Sequence, residues 1–146
     1  MSRQSAKDTR PHDRQQERTG GCACGAVRYR ARGPVEFAFH CHCRKCQRAT
    51  GGGHASAFAV NRADFELTGE VRQYEQASDS GAATFSGFCP NCGSPILSRT
   101  ARFPDRLYIH VASLDDPADF TPQFVVFEEA AQPWDHIAPE LKSAAR

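Results

Sequence analysis

Cys41-His42-Cys43-Arg44-Lys45-Cys46 sets three thiols within six residues, and the rest of the 146-residue chain is organised around it. Upstream stands Cys22-Ala23-Cys24-Gly25 and downstream Cys89-Pro90-Asn91-Cys92-Gly93, which together account for all seven cysteines. Thiols two or three residues apart, in separate parts of one chain, are what a tetrahedral soft-metal site needs. The two pairs supply four sulfurs and would close a structural zinc shell. The contiguous group supplies three and leaves a corner open, which is where zinc does chemistry.

The local geometry supports this division. Cys41 and Cys43 lie on the same side of an extended segment, and one turn brings Cys46 back to that side. The fourth corner must come from water, a substrate atom or another side chain. In the pairs, Pro90 presets a turn, while the glycine behind each pair permits the positive φ or close approach such knuckles require. Buried free thiols are the plain alternative, but two pairs each followed by Gly argue against it. An iron–sulfur cluster would need four ligands at other spacings. A lone cysteine nucleophile would not explain three neighbouring thiols.

Zn²⁺ with three thiolates carries a net charge of −1. Arg44, Lys45 and Arg48 surround the motif; they can offset that charge, hold the carboxylates of a peptide-like thiol, or simply be solvated. His42 sits between two ligands and should point away from the metal, and His40 lies on the opposite side of the strand from Cys41. His54 opens the next strand and is the candidate for proton transfer or for the fourth ligand.

Further outward, apolar and polar residues alternate with a period of two at 26–31 and 35–40, the pattern of half-buried strands. Strand-like runs recur at 54–60, 64–67, 71–76, 83–88, 95–100, 107–112 and 124–128, between turns such as Thr68-Gly69-Glu70 and Asp115-Asp116-Pro117. Only 43–50 suggests a helical turn, stopped by Gly51-Gly52-Gly53. These features predict a mainly β domain, an antiparallel sandwich or open barrel stapled by zinc, with little helix. The ten phenylalanines can fill a modest core, and Trp134 is expected to cap its edge.

Residues 1–19 are polar and charged, and are expected to be a disordered tail; residues 20–135 form the domain and 136–146 a C-terminal tail. A formal net charge of +1 gives no reason to expect nucleic acid as a partner. No run is long and apolar enough to span a bilayer, the N-terminus lacks a secretory h-region, and the cytoplasm is the expected compartment.

Three pieces of sequence carry a resemblance: Gly20-Gly21-Cys22-x-Cys24-Gly25-x-Val27-Arg28-Tyr29, then Cys41-His42-Cys43-x-x-Cys46-Gln47-Arg48, then Phe88-Cys89-x-x-Cys92-Gly93-Ser94-Pro95. In this order they resemble the glutathione-dependent formaldehyde-activating enzyme family, also called the CENP-V/GFA domain. Ser113-Leu114-Asp115-Asp116-Pro117 and Pro133-Trp134 match as well. The resemblance implies an Mss4-like β scaffold with two Zn²⁺ per chain. Structural zinc would sit on Cys22, Cys24, Cys89 and Cys92, and catalytic zinc on Cys41, Cys43 and Cys46. It also implies a carbon–sulfur lyase that interconverts S-hydroxymethylglutathione with glutathione and formaldehyde, glutathione or a similar thiol adduct being the partner. The alternative is a non-catalytic, zinc-dependent thiol-binding or protein-interaction module.

Overall fold

The computed structural model describes residues 17–78 and 80–144. Among these residues eleven strands form two sheets, with one α-helix between the third and fourth strands. In chain order they are β1 (Arg18–Gly21), β2 (Arg28–Ala31), β3 (Phe37–Cys41), α1 (Arg44–Thr50), β4 (Ala55–Asn61), β5 (Phe65–Thr68), β6 (Arg72–Ala77), β7 (Ala83–Phe88), β8 (Pro95–Thr100), β9 (Arg106–His110), β10 (Phe124–Val126) and β11 (Lys142–Ser143). Each strand-like run of the sequence becomes a strand within about two residues, because alternating runs bury one face against a core and turn residues end them.

The larger sheet has the order β11-β10-β3-β4-β9-β8-β7-β6, and the smaller β1-β2-β5. The larger sheet ends in two different edge strands, so it is open rather than a closed barrel. Pairing is antiparallel from β3 through β6, but β10 runs parallel to β3 and β11 parallel to β10. The expected all-antiparallel sheet is corrected at that edge. The chain from β9 to β10 crosses the molecule instead of returning through a hairpin, and a crossover can deliver a parallel strand.

The small sheet packs over part of the large one. Val27 and Tyr29 meet Phe58, Val60, Ile96, Leu97, Leu107 and Ile109 in the core. The Tyr29 hydroxyl reaches Ser113 Oγ at 2.7 Å, satisfying the polar end of a buried ring. The phenylalanines do not fill this core: Phe58 is its only fully buried one among the described residues. A three-stranded sheet covers only part of an eight-stranded one, so several rings lie on the uncovered face. There Phe37, Phe39, Tyr108 and Phe124 pack on one another over Ala57 and Ala59, with centroids 5.7–6.4 Å apart. Trp134 is 67% exposed and caps nothing.

Residues 1–16 of the expected N-terminal tail lie outside the described residues. Strand pairing begins at Arg18, inside the segment read as tail, where Arg18–Gly21 pairs with Arg28–Ala31. At the other end Lys142–Ser143 adds a short edge strand to β10.

Candidate functional site

Two hairpin-like knuckles bring the four paired cysteines together. Their sulfurs all lie within 4.8 Å of one another. Cys22 Sγ is 3.6 Å from Cys24 Sγ, and Cys24 Sγ is 3.9 Å from Cys89 Sγ. Four sulfurs about 2.3 Å from a tetrahedral zinc would be about 3.8 Å apart, so this donor set fits the ion. Backbone N–H groups already point at the sulfurs: Val27 donates to Cys22 at 3.2 Å, and Asn91 and Cys92 donate to Cys89 at 3.3 and 3.5 Å. The Asn91 side-chain amide donates to Cys24 at 3.2 Å. Ser94 Oγ lies 3.2 Å from Cys92 Sγ and, with backbone N–H groups, holds that thiol down at about 5. Gly25 and Gly93 turn the two knuckles with φ of 84° and 82°, where a Cβ would be strained. Asn91 and Ser94 were invisible as ligand supports in the sequence, although both sit inside the Cys89–Pro95 motif.

The three contiguous cysteines also converge, again within 4.8 Å. Cys41 ends β3, Cys43 is the N-cap of α1, and Cys46 lies one turn into it, so a strand-to-helix junction aims all three at one point. The Cys46 N–H donates to Cys43 Sγ at 3.4 Å. The Cys43 thiol is held far below its ordinary range, to about 2, first by hydrogen bonds from Cys41 and Cys46 and then by the backbone N–H groups of Cys46 and Lys45. Sharing a proton with Cys43 pushes the Cys41 thiol up to about 12, and hydrogen bonds to Cys41 and then Cys43, with burial, raise Cys46. Such a cluster releases protons on binding a cation, which neutralises the crowded negative charge. Among the described residues no other His, Cys, Asp or Glu offers a ligand atom within that distance of all three sulfurs.

The histidines sit on the other side of the β3–β4 pair. Directly opposed residues in antiparallel strands share a face. Cys41 pairs with Ala55 and His40 with Ser56, so His40, His42 and His54 lie opposite Cys41. His40 Nδ1 bonds Ser56 Oγ at 2.9 Å, and the His42 and His54 ring centroids are 4.9 Å apart. Burial first, and then its histidine neighbours, push His40 down to about 4. His54 Nδ1 is held by Asp135 Oδ2 at 2.7 Å. The structure therefore groups His54 with His42 and Asp135 and does not bring it to the cysteine triad.

Gln47 is the positioning residue that the sequence showed without a role. It is buried on α1 and its amide nitrogen donates to the carbonyls of His42 (2.7 Å) and Ala130 (3.1 Å). Its carbonyl oxygen accepts from Gln132 at 3.0 Å and from Arg44. One side chain thus ties the CxCxxC turn to the 130–135 loop. Gln47→Leu leaves these buried partners unsatisfied and should cost about 2–3 kcal/mol in a denaturant melt. An unchanged midpoint would show that the clamp carries no stability. Of the basic residues, Lys45 Nζ is engaged by the Ala77 carbonyl and Arg44 by the Gln47 side chain, and Arg44 and Arg48 are exposed on α1.

This arrangement and its sequence frame match a known group of proteins. Residues 17–130 match the family described as Glutathione-dependent formaldehyde-activating enzyme. The chain belongs to that family. A Halomonas elongata protein provisionally named a glutathione-dependent formaldehyde-activating enzyme is 29% identical over 114 residues, covering 73% of this chain and 71% of the relative. A Rhodobacter sphaeroides protein of known crystal structure superposes with a TM-score of 0.55 at 24% identity, over 69% of this chain and 93% of that one, and so shares the fold. Membership suggests glutathione-dependent formaldehyde activation, and the two cysteine groups of this family member could hold metal ions. Among the described residues no helix is long and apolar enough to cross a membrane.

Proposed function

We propose that the protein is a zinc-dependent carbon–sulfur lyase acting on a glutathione adduct, of which S-hydroxymethylglutathione is the leading example. The observation that carries this reading is the three-sulfur cluster at the β3–α1 junction with no fourth protein ligand among the described residues. Zinc on Cys41, Cys43 and Cys46 would supply a Lewis acid with one open position for a thiol sulfur, stabilising its thiolate near neutral pH. Cys22, Cys24, Cys89 and Cys92 hold the second, structural ion in this reading.

The chain's own residues do the remaining work. The N–H groups at the start of α1 stabilise negative charge at Cys43. In this reading Arg48, exposed on the helix that carries Cys46, attracts a carboxylate of a glutathione-type peptide, with Arg44 adding positive charge from its bond to Gln47. Phe39 and Cys41 lie two residues apart on one strand face, so the stacked Phe39 and Phe124 rings are on the same side of the sheet as the triad. In the addition direction the sulfur forms a bond to the formaldehyde carbon while the carbonyl π pair moves to oxygen, which takes a proton from solvent. Cleavage is the reverse. His54, expected from the sequence as the proton donor, is held by Asp135 on the opposite face, so this reading assigns the proton to water.

The test is a panel of glutathione adducts incubated with the zinc-loaded protein, with uncatalysed rates subtracted, because thiols add to formaldehyde unaided. C–S cleavage should be accelerated and should disappear on metal removal. Tight, zinc-dependent binding of glutathione without acceleration would instead make the domain a thiol-binding module.

A further inference from the structure

A third group of ligand atoms lies behind the cysteine triad. One ring nitrogen each of His42 and His54 and a carboxylate oxygen of Asp135 are all within 4.8 Å of one another. His42 is 1% exposed, and its Nδ1 is buried without a hydrogen-bond partner. That orphaned nitrogen lies 3.3 Å from Asp135 Oδ2, while His54 Nδ1 lies 2.7 Å from the same oxygen. Leaving a buried imidazole nitrogen unpaired is costly, and a cation between these atoms would satisfy it. An ion with ligands about 2.1 Å away holds tetrahedral or octahedral neighbours about 3.0–3.4 Å apart, close to the separations present. The approach of Asp135 is built in. A Cβ on Gly53 would fall 2.3 Å from Asp135 Oδ2, so only glycine there admits the carboxylate.

We propose that His42, His54 and Asp135 form a third metal site, selective for a divalent first-row transition ion and distinct from both cysteine centres. Two neutral imidazoles and one carboxylate are borderline donors that suit such ions and leave coordination positions open. His40, whose ring centroid is 4.4 Å from that of His54, walls the site while its Nδ1 stays bonded to Ser56. On binding, His54 must present Nδ1 unprotonated, so its one N–H moves to Nε2 by exchange with solvent and the imidazole stays neutral. The ion then cross-links the 130–135 loop to β3 and β4 on the face opposite the three sulfurs. Nothing in this inference depends on what reaction the cysteine triad performs.

The probe is Co²⁺, added to full-length protein whose cysteine sites are already filled with zinc. Soft thiolates retain zinc, and cobalt bound by sulfur shows intense charge-transfer absorption that an N/O site lacks. The expected result is one equivalent of Co²⁺ bound per chain without sulfur charge transfer. X-ray absorption at the cobalt edge should show an N/O shell with imidazole scattering. Asp135→Asn should weaken Co²⁺ by at least about tenfold, and Gly53→Ala should do the same by displacing the carboxylate, with zinc at the cysteines unchanged. The edge measurement needs only the unaltered protein, so misfolding of a variant does not protect the idea. Failure to bind a further equivalent, or sulfur in the cobalt shell, overturns it.

Discussion

Cys92→Ala is expected to leave the domain unfolded or aggregated. If zinc occupies them, the four paired sulfurs form a covalent-strength link between the β1–β2 end of the chain and the β7–β8 hairpin. Structural zinc contributes about 10–16 kcal/mol in small metal domains, at or above the whole stability of about 5–15 kcal/mol expected here. Removing the Cys92 sulfur also strands the Ser94 hydroxyl and the Ser94 and Cys24 backbone N–H groups that serve it. The measurement is a thermal melt by circular dichroism alongside zinc content and gel filtration. A soluble Cys92→Ala protein that melts like the parent would remove the staple from the account. Excess chelator should reproduce the variant's loss of structure in the parent protein.

Cys43→Ala should behave in the opposite way. The fold should persist, because the triad is local to one strand–helix junction and closes no distant contact. Its metal content should drop by one ion per chain, and accelerated C–S cleavage should fall by at least about 100-fold, the effect of losing several kcal/mol of Lewis-acid stabilisation. Part of any stability change, about 1 kcal/mol, will come from the lost N-cap, since Cys43 Sγ accepts from the Cys46 N–H. Cys43→Ser separates the two effects: its hydroxyl can cap the helix but is a poor soft-metal ligand. Full activity in a folded Cys43→Ser protein would move the chemistry away from the triad.

The contrast between these two substitutions follows from chain distance. Cys22 and Cys89 meet although they are 67 positions apart, so their contact reports the tertiary fold. Cys41, Cys43 and Cys46 meet through local geometry, and their grouping could be read from periodicity alone. The same holds for most strands. Ala83–Phe88 and Pro95–Thr100 begin and end where alternation and turn residues place them. Readings that depended on what lies across the molecule fared differently. Trp134 is expected to cap the core because large apolar residues usually bury, yet the 130–135 loop makes its contacts to Gln47, His42 and His54 and leaves the indole in solvent. The parallel strand at Phe124–Val126 has the same local pattern as an antiparallel one, since side-chain alternation carries no direction.

By itself, the sequence determined the mainly β class, the division of cysteines into pairs and a triad, and the family, because each rests on spacings of two or three residues or on short ordered motifs. Only the tertiary structure decided that His54 joins His42 on the face away from the triad, that Asp135 joins them from 81 positions beyond His54, and that Gln47 locks the junction to the same loop. Those facts depend on strand register and on where a long connection returns. A one-residue slip would carry His54 to the other face, and nothing in the local spacing forbids that slip; burial of the whole sheet does.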